Sequence, residues 1–180
     1  MLLLVDNGSI FTKNIVEFLS SDRIDHLVLS FDKVNFSNVK KFDSFILSGR
    51  RHNDQSMNAL NSKIITHAIS EKKPLLGICY GAEILALTSG GTIRKMSELQ
   101  KGESTVQITE KNPLCDNVIR VYQSHSYEIS QLGKSLKALG KSNACKYEIV
   151  QYQDSQIFGT QFHPEMTKDG LSIIDKFIRL

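Results

Sequence analysis

The pentapeptide Gly77-Ile78-Cys79-Tyr80-Gly81 contains the side chain best suited to covalent chemistry, the thiol of Cys79. Because glycines permit a tight turn, the pattern predicts a corner between a strand and a helix, from which Cys79 projects into solvent. The positive end of the helix dipole would lower the pKa of the thiol there. The backbone N–H of Tyr80 would stabilise an oxyanion formed when Cys79 attacks a carbonyl. A cysteine that only packs a turn shares this pattern, so the chemistry also requires a base.

The tripeptide His163-Pro164-Glu165 supplies such a base. A histidine can take the proton of a cysteine thiol and return it to the leaving group, while a carboxylate fixes the tautomer and orientation of the imidazole. Because His163 lies far from Cys79 in the sequence, only the fold can bring the two together. We therefore predict a catalytic triad of Cys79, His163 and Glu165.

The elements that must position these residues alternate between strands and helices in the first half of the chain. Apolar runs predict strands at 2–5, 26–29, 42–47 and 75–78, and helical spacing predicts helices at 11–19, 57–68, 82–87 and 171–178. Later runs predict antiparallel strands at 104–108, 118–122, 136–139, 148–152 and 157–162. The predicted fold class is α/β: one three-layer domain over 1–180, with a mostly parallel central sheet flanked by helices and a smaller antiparallel extension in the second half.

The composition argues against several other classes of protein. Hydrophobic residues make up 41% and charged residues 23% of the chain, which is typical of a globular domain. The net charge of +3 comes from scattered cations, so we expect no nucleic-acid partner. The apolar run 1–5 is too short for a membrane span or a signal segment, and we expect a cytoplasmic protein without membrane attachment. The three cysteines form no close pair, so we expect neither a disulfide framework nor a metal site.

Five sequence blocks follow one another along nearly the whole chain. They are Asp6-Asn7-Gly8-Ser9, Ile46-Leu47-Ser48-Gly49, Gly77-Ile78-Cys79-Tyr80-Gly81, Ser124-His125-Ser126-Tyr127 and Gly159-Thr160-Gln161-Phe162-His163-Pro164-Glu165. In this order they resemble the class I, or triad, glutamine amidotransferases, and the cysteine and histidine blocks are highly specific. The resemblance implies that Cys79 attacks the side-chain amide of glutamine, releases ammonia and forms a γ-glutamyl thioester that is hydrolysed to glutamate.

The resemblance also implies which positions bind glutamine and complete the oxyanion hole. In the family, a Ser-Gly-Gly-Pro loop contributes an oxyanion N–H, and this chain has Ser48-Gly49-Arg50-Arg51 there. Because a non-glycine residue restricts the backbone, Arg50 is expected to misplace this donor until a partner binds, which would lower the basal activity. The implied glutamine-binding residues are Gly49, Glu83, Ser124, Ser126 and Tyr127.

Glu83 is a second departure from the family, whose pattern Gly-x-Cys-x-Gly-x-Gln has glutamine at this position. A carboxylate there can pair with the α-ammonium group of the substrate. It can equally be an acid on the helix surface, and its charge would oppose ionisation of the Cys79 thiol. We favour contact with the substrate.

Within the family, the blocks are most similar to those of the separate glutaminase subunits of GMP synthases. This resemblance implies glutamine as the substrate and one protein partner, the ATP-pyrophosphatase (synthetase) subunit, which would bind ATP, Mg²⁺ and XMP. The chain has no P-loop, and we expect no cofactor in it. Three alternatives stay open: a glutaminase component of anthranilate or aminodeoxychorismate synthase, a non-catalytic regulatory module, and a γ-glutamyl hydrolase on the same fold.

Overall fold

The computed structural model describes the whole chain, residues 1–180. Its nine strands are β1 (Leu2–Asn7), β2 (His26–Ser30), β3 (Ser44–Arg50), β4 (Leu75–Ile78), β5 (Thr92–Ile108), β6 (Val118–Gln131), β7 (Leu136–Lys141), β8 (Ile149–Tyr152) and β9 (Ile157–Thr160). Its four α-helices are α1 (Thr12–Ser21), α2 (Gln55–Glu71), α3 (Tyr80–Thr88) and α4 (Lys168–Ile178). None of these helices combines the length and the apolar character that crossing a bilayer requires.

All nine strands belong to one mixed sheet, in the order β2-β1-β3-β4-β9-β8-β7-β5-β6. The pairings from β2 to β9 are parallel, and those from β9 to β6 are antiparallel. This topology confirms the predicted α/β fold class. The prediction of a purely antiparallel strand at 157–162 is wrong, because β9 pairs in parallel with β4 on one side and antiparallel with β8 on the other. The antiparallel extension is longer than predicted, because β5 and β6 have 17 and 14 residues. Much of β5 is solvent-exposed, so it lacks the apolar alternation that marks a strand in a sequence.

The sheet separates two hydrophobic cores, as β1 illustrates. Leu2 and Leu4 belong to the core beneath α1 and α4, whereas Leu3 and Val5 belong to the core beneath α2 and α3. Successive side chains of a strand point to opposite faces, so a run that is apolar throughout is what a strand covered on both faces needs. This packing produces the three predicted layers.

The central strands β4 and β9 end at the same edge of the sheet. They are parallel neighbours, with Ile78 in register with Thr160. One residue further, the N–H of Cys79 donates to the carbonyl oxygen of Thr160 at 2.7 Å. The segments that leave the two strands therefore begin side by side, at the carboxyl edge where open α/β sheets bind their ligands.

The hairpin of β5 and β6 folds back towards this edge. The N–H of His163 donates to the carbonyl oxygen of Tyr122 at 2.9 Å, and the N–H of Ile129 donates to Oε1 of Gln161 at 3.3 Å. These two contacts hold the middle of β6 against the segment that follows β9. Residues 124–127 consequently lie at the same edge as Cys79.

The buried carboxyl group of Glu148 is hydrogen-bonded to a side chain of β6. Glu148 is fully buried, its Oε1 accepts a hydrogen bond from Nε2 of Gln123 at 2.8 Å, and its Oε2 has no partner. Gln123 in turn contacts Nε2 of His125 through Oε1 at 2.9 Å. Burial is the main cause that raises the pKa of Glu148, to about 7. The protonated carboxyl is thus the form that the fold favours.

Substituting Glu148→Gln tests this interpretation through the pH dependence of stability. Below pH 4.5 the carboxyl is protonated in both the folded and unfolded chain, whereas between 4.5 and about 7 only the unfolded chain ionises. The free energy of unfolding of the wild type, relative to Glu148→Gln, should therefore fall by up to about 3 kcal/mol as the pH rises through this window. Urea unfolding of both proteins at pH 5 and pH 8 measures the difference.

The matched control is Glu17→Gln, which changes an exposed carboxylate on α1. The free energies of unfolding of Glu17→Gln and the wild type should differ by the same amount at both pH values. A wild-type minus Glu148→Gln difference that is constant with pH would contradict the raised pKa.

Candidate active site

Cys79 occupies a strained corner between β4 and α3. Its backbone has φ 51° and ψ −103°, a left-handed conformation that non-glycine residues rarely adopt and that costs about 1–3 kcal/mol. A Cβ atom on Gly77 would lie 2.5 Å from the carbonyl carbon of Gly81, and one on Gly81 would lie 2.5 Å from the carbonyl oxygen of Leu47. Both glycines of the pentapeptide are therefore required, because only residues without a side chain let the corner close.

His163 and Glu165 lie beside Cys79, as the sequence predicts. The Nδ1 atom of His163 donates to Oε1 of Glu165 at 2.8 Å, and both side chains are buried. The ring of Phe11 packs edge-on against the imidazole with centroids 4.7 Å apart. With Nδ1 bonded to the carboxylate, Nε2 is the ring nitrogen available for proton transfer.

Gly49 closes the remaining side of the imidazole. A Cβ atom on Gly49 would lie 2.9 Å from Cε1 of His163 and 3.7 Å from Cβ of Cys79. The end of β3 thus approaches the nucleophile and the base so closely that a side chain would displace the ring. This close approach is a packing reason for glycine at a position predicted to bind the substrate.

The thiol of Cys79 is more buried than predicted. Its residue is only 7% exposed, so the expectation that the side chain projects into solvent is wrong. Burial raises the pKa of Cys79, while the hydrogen bond and charge of His163 act in the opposite direction. The expected lowering of the pKa by the helix dipole is therefore outweighed by loss of hydration. Ionisation of Cys79 depends on transfer of its proton to His163.

His163 has the complementary electrostatics. Burial by itself lowers the pKa of His163, but the hydrogen bonds and negative charges of Cys79 and Glu165 outweigh it and raise the pKa to about 10. The imidazolium form is thus stabilised whenever the thiolate forms beside it. The arrangement favours a thiolate–imidazolium pair as the reactive state.

Cys79 opens into a cavity of about 530 Å³. Volumes of this size are typical of sites for small molecules. The backbone N–H of Tyr80 is the first of α3 and has no acceptor within the helix, so it is available to an oxyanion. The lining includes these residues from the predicted site: Arg50, Cys79, Tyr80, Glu83, Ser124, Ser126 and Tyr127.

The sequence matches the class-I glutamine amidotransferase family over residues 3–179. The chain belongs to this family.

Individual members of the family resemble the chain over its full length. A subunit of the glutamine-hydrolyzing GMP synthase of Methanococcus aeolicus is 28% identical, with 100% of this chain and 97% of that protein covered. The glutamine-hydrolyzing GMP synthase of Aliivibrio fischeri is 25% identical over 98% of this chain, but the match covers 35% of that longer protein. A crystal structure from Thermoplasma acidophilum, provisionally assigned to a GMP synthase subunit, superposes with a TM-score of 0.88 at 26% identity over 99% of this chain and 92% of that one.

Glu83 is one of the two departures from the glutamine amidotransferase pattern. The residue is 4% exposed and lines the cavity, so the alternative of a helix-surface acid is wrong. Its Oε1 accepts a hydrogen bond from Nε2 of Gln161 at 3.3 Å. Burial raises the pKa of Glu83, while the charge of Arg50 acts in the opposite direction. Contact of Glu83 with the substrate stays a prediction.

Arg50 is the other departure from the family pattern. Its φ is not positive, so an arginine adopts this backbone without the strain that the loss of glycine was expected to cause. The guanidinium stacks on the ring of Tyr80 at 4.5 Å, and its Nη2 lies 4.0 Å from Oε2 of Glu83. The two residues that depart from the family are therefore in contact with each other.

Sequence reasoning missed three side chains that hold the site together. His125 lines the cavity, and its ring nitrogens contact the carbonyl oxygen of Tyr127 at 2.7 Å and Oε1 of Gln123 at 2.9 Å. Gln161 joins Glu83 to β6, and Phe11 packs on His163. His125 and Gln161 belong to two of the family's sequence blocks, and this was the signal that could have identified them. Their structural role depends on burial of polar side chains, which a sequence does not show.

The charge of Glu83 should contribute to how easily Cys79 ionises. Burial is the main cause that raises the pKa of Cys79, and the negative charge of Glu83 adds to it, so Glu83→Gln should shift the pH profile of Cys79 alkylation by iodoacetamide to lower pH. The rate is measured by mass spectrometry of the peptide that contains Cys79. Glu17→Gln, which changes an exposed acid on α1, should leave the profile in place. A profile that is unchanged or moves to higher pH in Glu83→Gln would contradict this electrostatic account.

Proposed function

We propose that this chain hydrolyses L-glutamine to glutamate and ammonia and delivers the ammonia to a separate synthetase subunit that converts XMP to GMP. The observation that carries the proposal is the group of Cys79, His163 and Glu165 in a glutamine amidotransferase fold, with Cys79 lining a cavity of small-molecule size. The names of the full-length relatives support the assignment to GMP synthesis. A non-catalytic regulatory module would not require a nucleophile, a base and an orienting carboxylate next to one another, so this arrangement argues against that alternative.

The first half of the reaction is acyl transfer to Cys79. His163 takes the thiol proton, and the thiolate sulphur attacks the side-chain amide carbon of glutamine, forming the C–S bond. The carbonyl oxygen becomes an oxyanion, which accepts hydrogen bonds from the backbone N–H groups of Tyr80 and Arg50. The imidazolium then gives its proton to the amide nitrogen as the C–N bond breaks. Ammonia leaves, and a γ-glutamyl thioester remains on Cys79.

The second half of the reaction is hydrolysis of the thioester. His163 removes a proton from a water molecule, whose oxygen attacks the thioester carbonyl. Collapse of the second oxyanion breaks the C–S bond, and the sulphur recovers the proton from the imidazolium. Glutamate is released, and the thiol and neutral imidazole are restored. Glu165 takes no proton in either half; it orients His163 and stabilises its charged form.

The remaining predicted residues hold glutamine in the cavity. Gly49 keeps the approach to Cys79 and His163 free of a side chain. On β6, Ser124, Ser126 and Tyr127 line the cavity, with hydroxyl and backbone groups suited to a zwitterionic amino acid. His125 packs within this part of β6, where its ring nitrogens contact the carbonyl oxygen of Tyr127 and Oε1 of Gln123.

The proposed partner is an ATP-pyrophosphatase subunit that carries the nucleotide chemistry. It would bind ATP, Mg²⁺ and XMP, while this chain needs no cofactor for thioester chemistry. The match to the longer Aliivibrio fischeri protein over about a third of that protein's length supports a second component. Exposed apolar side chains of Leu87 and Leu99 line the cavity and would contribute to a contact surface at its mouth.

Glutamate release from L-glutamine tests the proposed function. Wild type and Cys79→Ala are assayed alone and with an active ATP-pyrophosphatase subunit supplied with ATP, Mg²⁺ and XMP. We expect the partner to accelerate glutamate release by the wild type, with GMP formed in equal amount. Cys79→Ala should lose about 10³-fold or more of the glutaminase rate, as expected on removal of a nucleophile.

Two outcomes would contradict parts of the proposal. Glutamate release that depends on Cys79 but is fast alone and unaffected by the partner would indicate a γ-glutamyl hydrolase. Absence of Cys79-dependent release with a partner of verified ammonia-dependent activity would exclude the GMP synthase assignment. Ammonium chloride in place of glutamine provides that verification, because it bypasses the glutaminase step.

A further inference from the structure

His125 is a buried histidine in the wall of the Cys79 cavity. The residue is 4% exposed, and its Nδ1 lies 2.7 Å from the carbonyl oxygen of Tyr127. Because a carbonyl oxygen only accepts hydrogen bonds, this contact requires a hydrogen on Nδ1. The other ring nitrogen, Nε2, lies 2.9 Å from the side-chain amide of Gln123. The orientation of that amide therefore decides whether His125 is neutral or charged.

The amide of Gln123 has two orientations, since its oxygen and its NH₂ group are nearly equal in size. With the oxygen towards His125, Nε2 must carry a second hydrogen, and the imidazole is a buried cation. A half-turn of the amide directs the NH₂ group at Nε2, and the imidazole is neutral. The amide oxygen then takes the position 3.1 Å from Oγ of Ser104 and 2.8 Å from Oε1 of Glu148. Both neighbours must donate to it, so the carboxyl of Glu148 is protonated.

Burial favours the neutral arrangement of these side chains. It is the main cause that lowers the pKa of His125 and the main cause that raises the pKa of Glu148, to about 7. With neutral His125, the turned amide of Gln123 and protonated Glu148, each donor faces an acceptor and no charge is buried. Below pH 7 the three side chains therefore hold one shared proton, and Glu148 carries it.

The other ionisable groups around these side chains leave this order unchanged. The negative charge of Glu128 raises the pKa of both Glu148 and His125, while the charge of His163 lowers the pKa of His125. Cys145 is buried, and burial raises its pKa, so its thiol stays uncharged. Glu148 consequently binds the proton more tightly than His125 does.

Loss of this proton leaves the amide of Gln123 unable to satisfy both neighbours in the same way. An ionised Glu148 is a buried carboxylate that needs a donor, so the NH₂ group turns towards it and the proton of Glu148 passes to solvent. The amide oxygen then faces Nε2 of His125, which must carry a hydrogen. Because a neutral imidazole has only one N–H, Nδ1 gives up its hydrogen and the bond to Tyr127 is broken.

We propose that the protonation of Glu148 determines, through the amide of Gln123, which ring nitrogen of His125 carries the hydrogen, and that this positions the β6 wall of the cavity for L-glutamine. The inference rests on the proposed glutaminase function and adds regulation of the same site by pH. Glu148 is a positioning residue, since it acts on the cavity through Gln123. When Nδ1 loses its hydrogen, the carbonyl oxygen of Tyr127 is released, and residues 124–127 of the cavity wall lose a fixed contact.

Long-range ¹H–¹⁵N NMR of the imidazole rings tests this switch without substrate. The His125 signals are identified by their absence from His125→Asn. In the wild type we expect the hydrogen on Nδ1 at pH 6 and on Nε2 at pH 8.5, because the pKa of Glu148 is about 7. Glu148→Gln supplies an amide donor at both pH values, so its His125 should keep the hydrogen on Nδ1. A wild-type His125 that is cationic at pH 6, or has the same tautomer at both pH values, would overturn the switch.

Steady-state glutaminase kinetics at the same two pH values test the positioning role. Between pH 6 and pH 8.5, the KM for L-glutamine should rise about fivefold more in the wild type than in Glu148→Gln, as expected for loss of one hydrogen bond. The change in kcat should be equal in both proteins, because the switch affects substrate binding and not the thiol chemistry. Comparison with the variant cancels the titration of glutamine itself.

Glu17→Gln is the matched control, since it changes an exposed acid on α1. It should follow the wild type in both the NMR and the kinetic measurements. Gln123→Leu gives a second test where Glu148→Gln fails to fold, because it removes the amide that links Glu148 to His125. In Gln123→Leu the hydrogen on His125 should stay on Nδ1 at both pH values. Circular dichroism verifies the fold of each variant.

The outcomes separate this inference from the proposed function. Movement of the hydrogen from Nδ1 to Nε2 of His125, with the expected KM difference between wild type and Glu148→Gln, would establish it. A tautomer switch without a KM difference would overturn the positioning role and leave the glutaminase proposal intact. Absence of Cys79-dependent glutamine hydrolysis at both pH values would overturn the proposed function and the positioning role, while the NMR titration would still decide the switch.

Discussion

The site depends on one backbone conformation, the left-handed turn at Cys79. Only glycines at positions 77 and 81 let β4, the turn and α3 meet, because a Cβ atom at either would overlap backbone atoms. The strained φ of 51° costs about 1–3 kcal/mol, and this cost must be offset by the packing of the buried strand β4 and the buried helix α3. In return, the turn directs the thiol towards the cavity and leaves the first N–H of α3 free for an oxyanion.

The parallel pairing of β4 with β9 then determines what meets the thiol. Because Ile78 and Thr160 are in register, the residues that follow both strands leave the sheet at one edge. His163 is held there by its backbone bond to Tyr122, its bond to Glu165 and the ring of Phe11. These three contacts fix the orientation of a buried base that can accept the thiol proton. His163 thereby counteracts the effect of burial, which raises the pKa of Cys79.

Much of this arrangement could be predicted from the sequence, because it rests on local patterns. The strand 75–78 and the meeting of Cys79 with His163 and Glu165 follow from apolar runs and two specific motifs. The burial of Cys79 and Glu83 could not be predicted, since it depends on how β6 folds back over the edge. The extent of β5 was missed because its exposed residues carry no alternation. The contact of Arg50 with Glu83 joins residues distant in sequence and left no local signal.

The central claim is that Cys79 carries the glutamyl group during the reaction, and trapping that intermediate tests it most directly. Wild-type protein is mixed with L-glutamine, quenched with acid within a turnover, and analysed by intact and peptide mass spectrometry. We expect a γ-glutamyl adduct on the Cys79 peptide that hydroxylamine removes, as a thioester requires, and that is absent from Cys79→Ala. Glutamate release by the wild type without any such adduct, or with an adduct on another residue, would contradict the account.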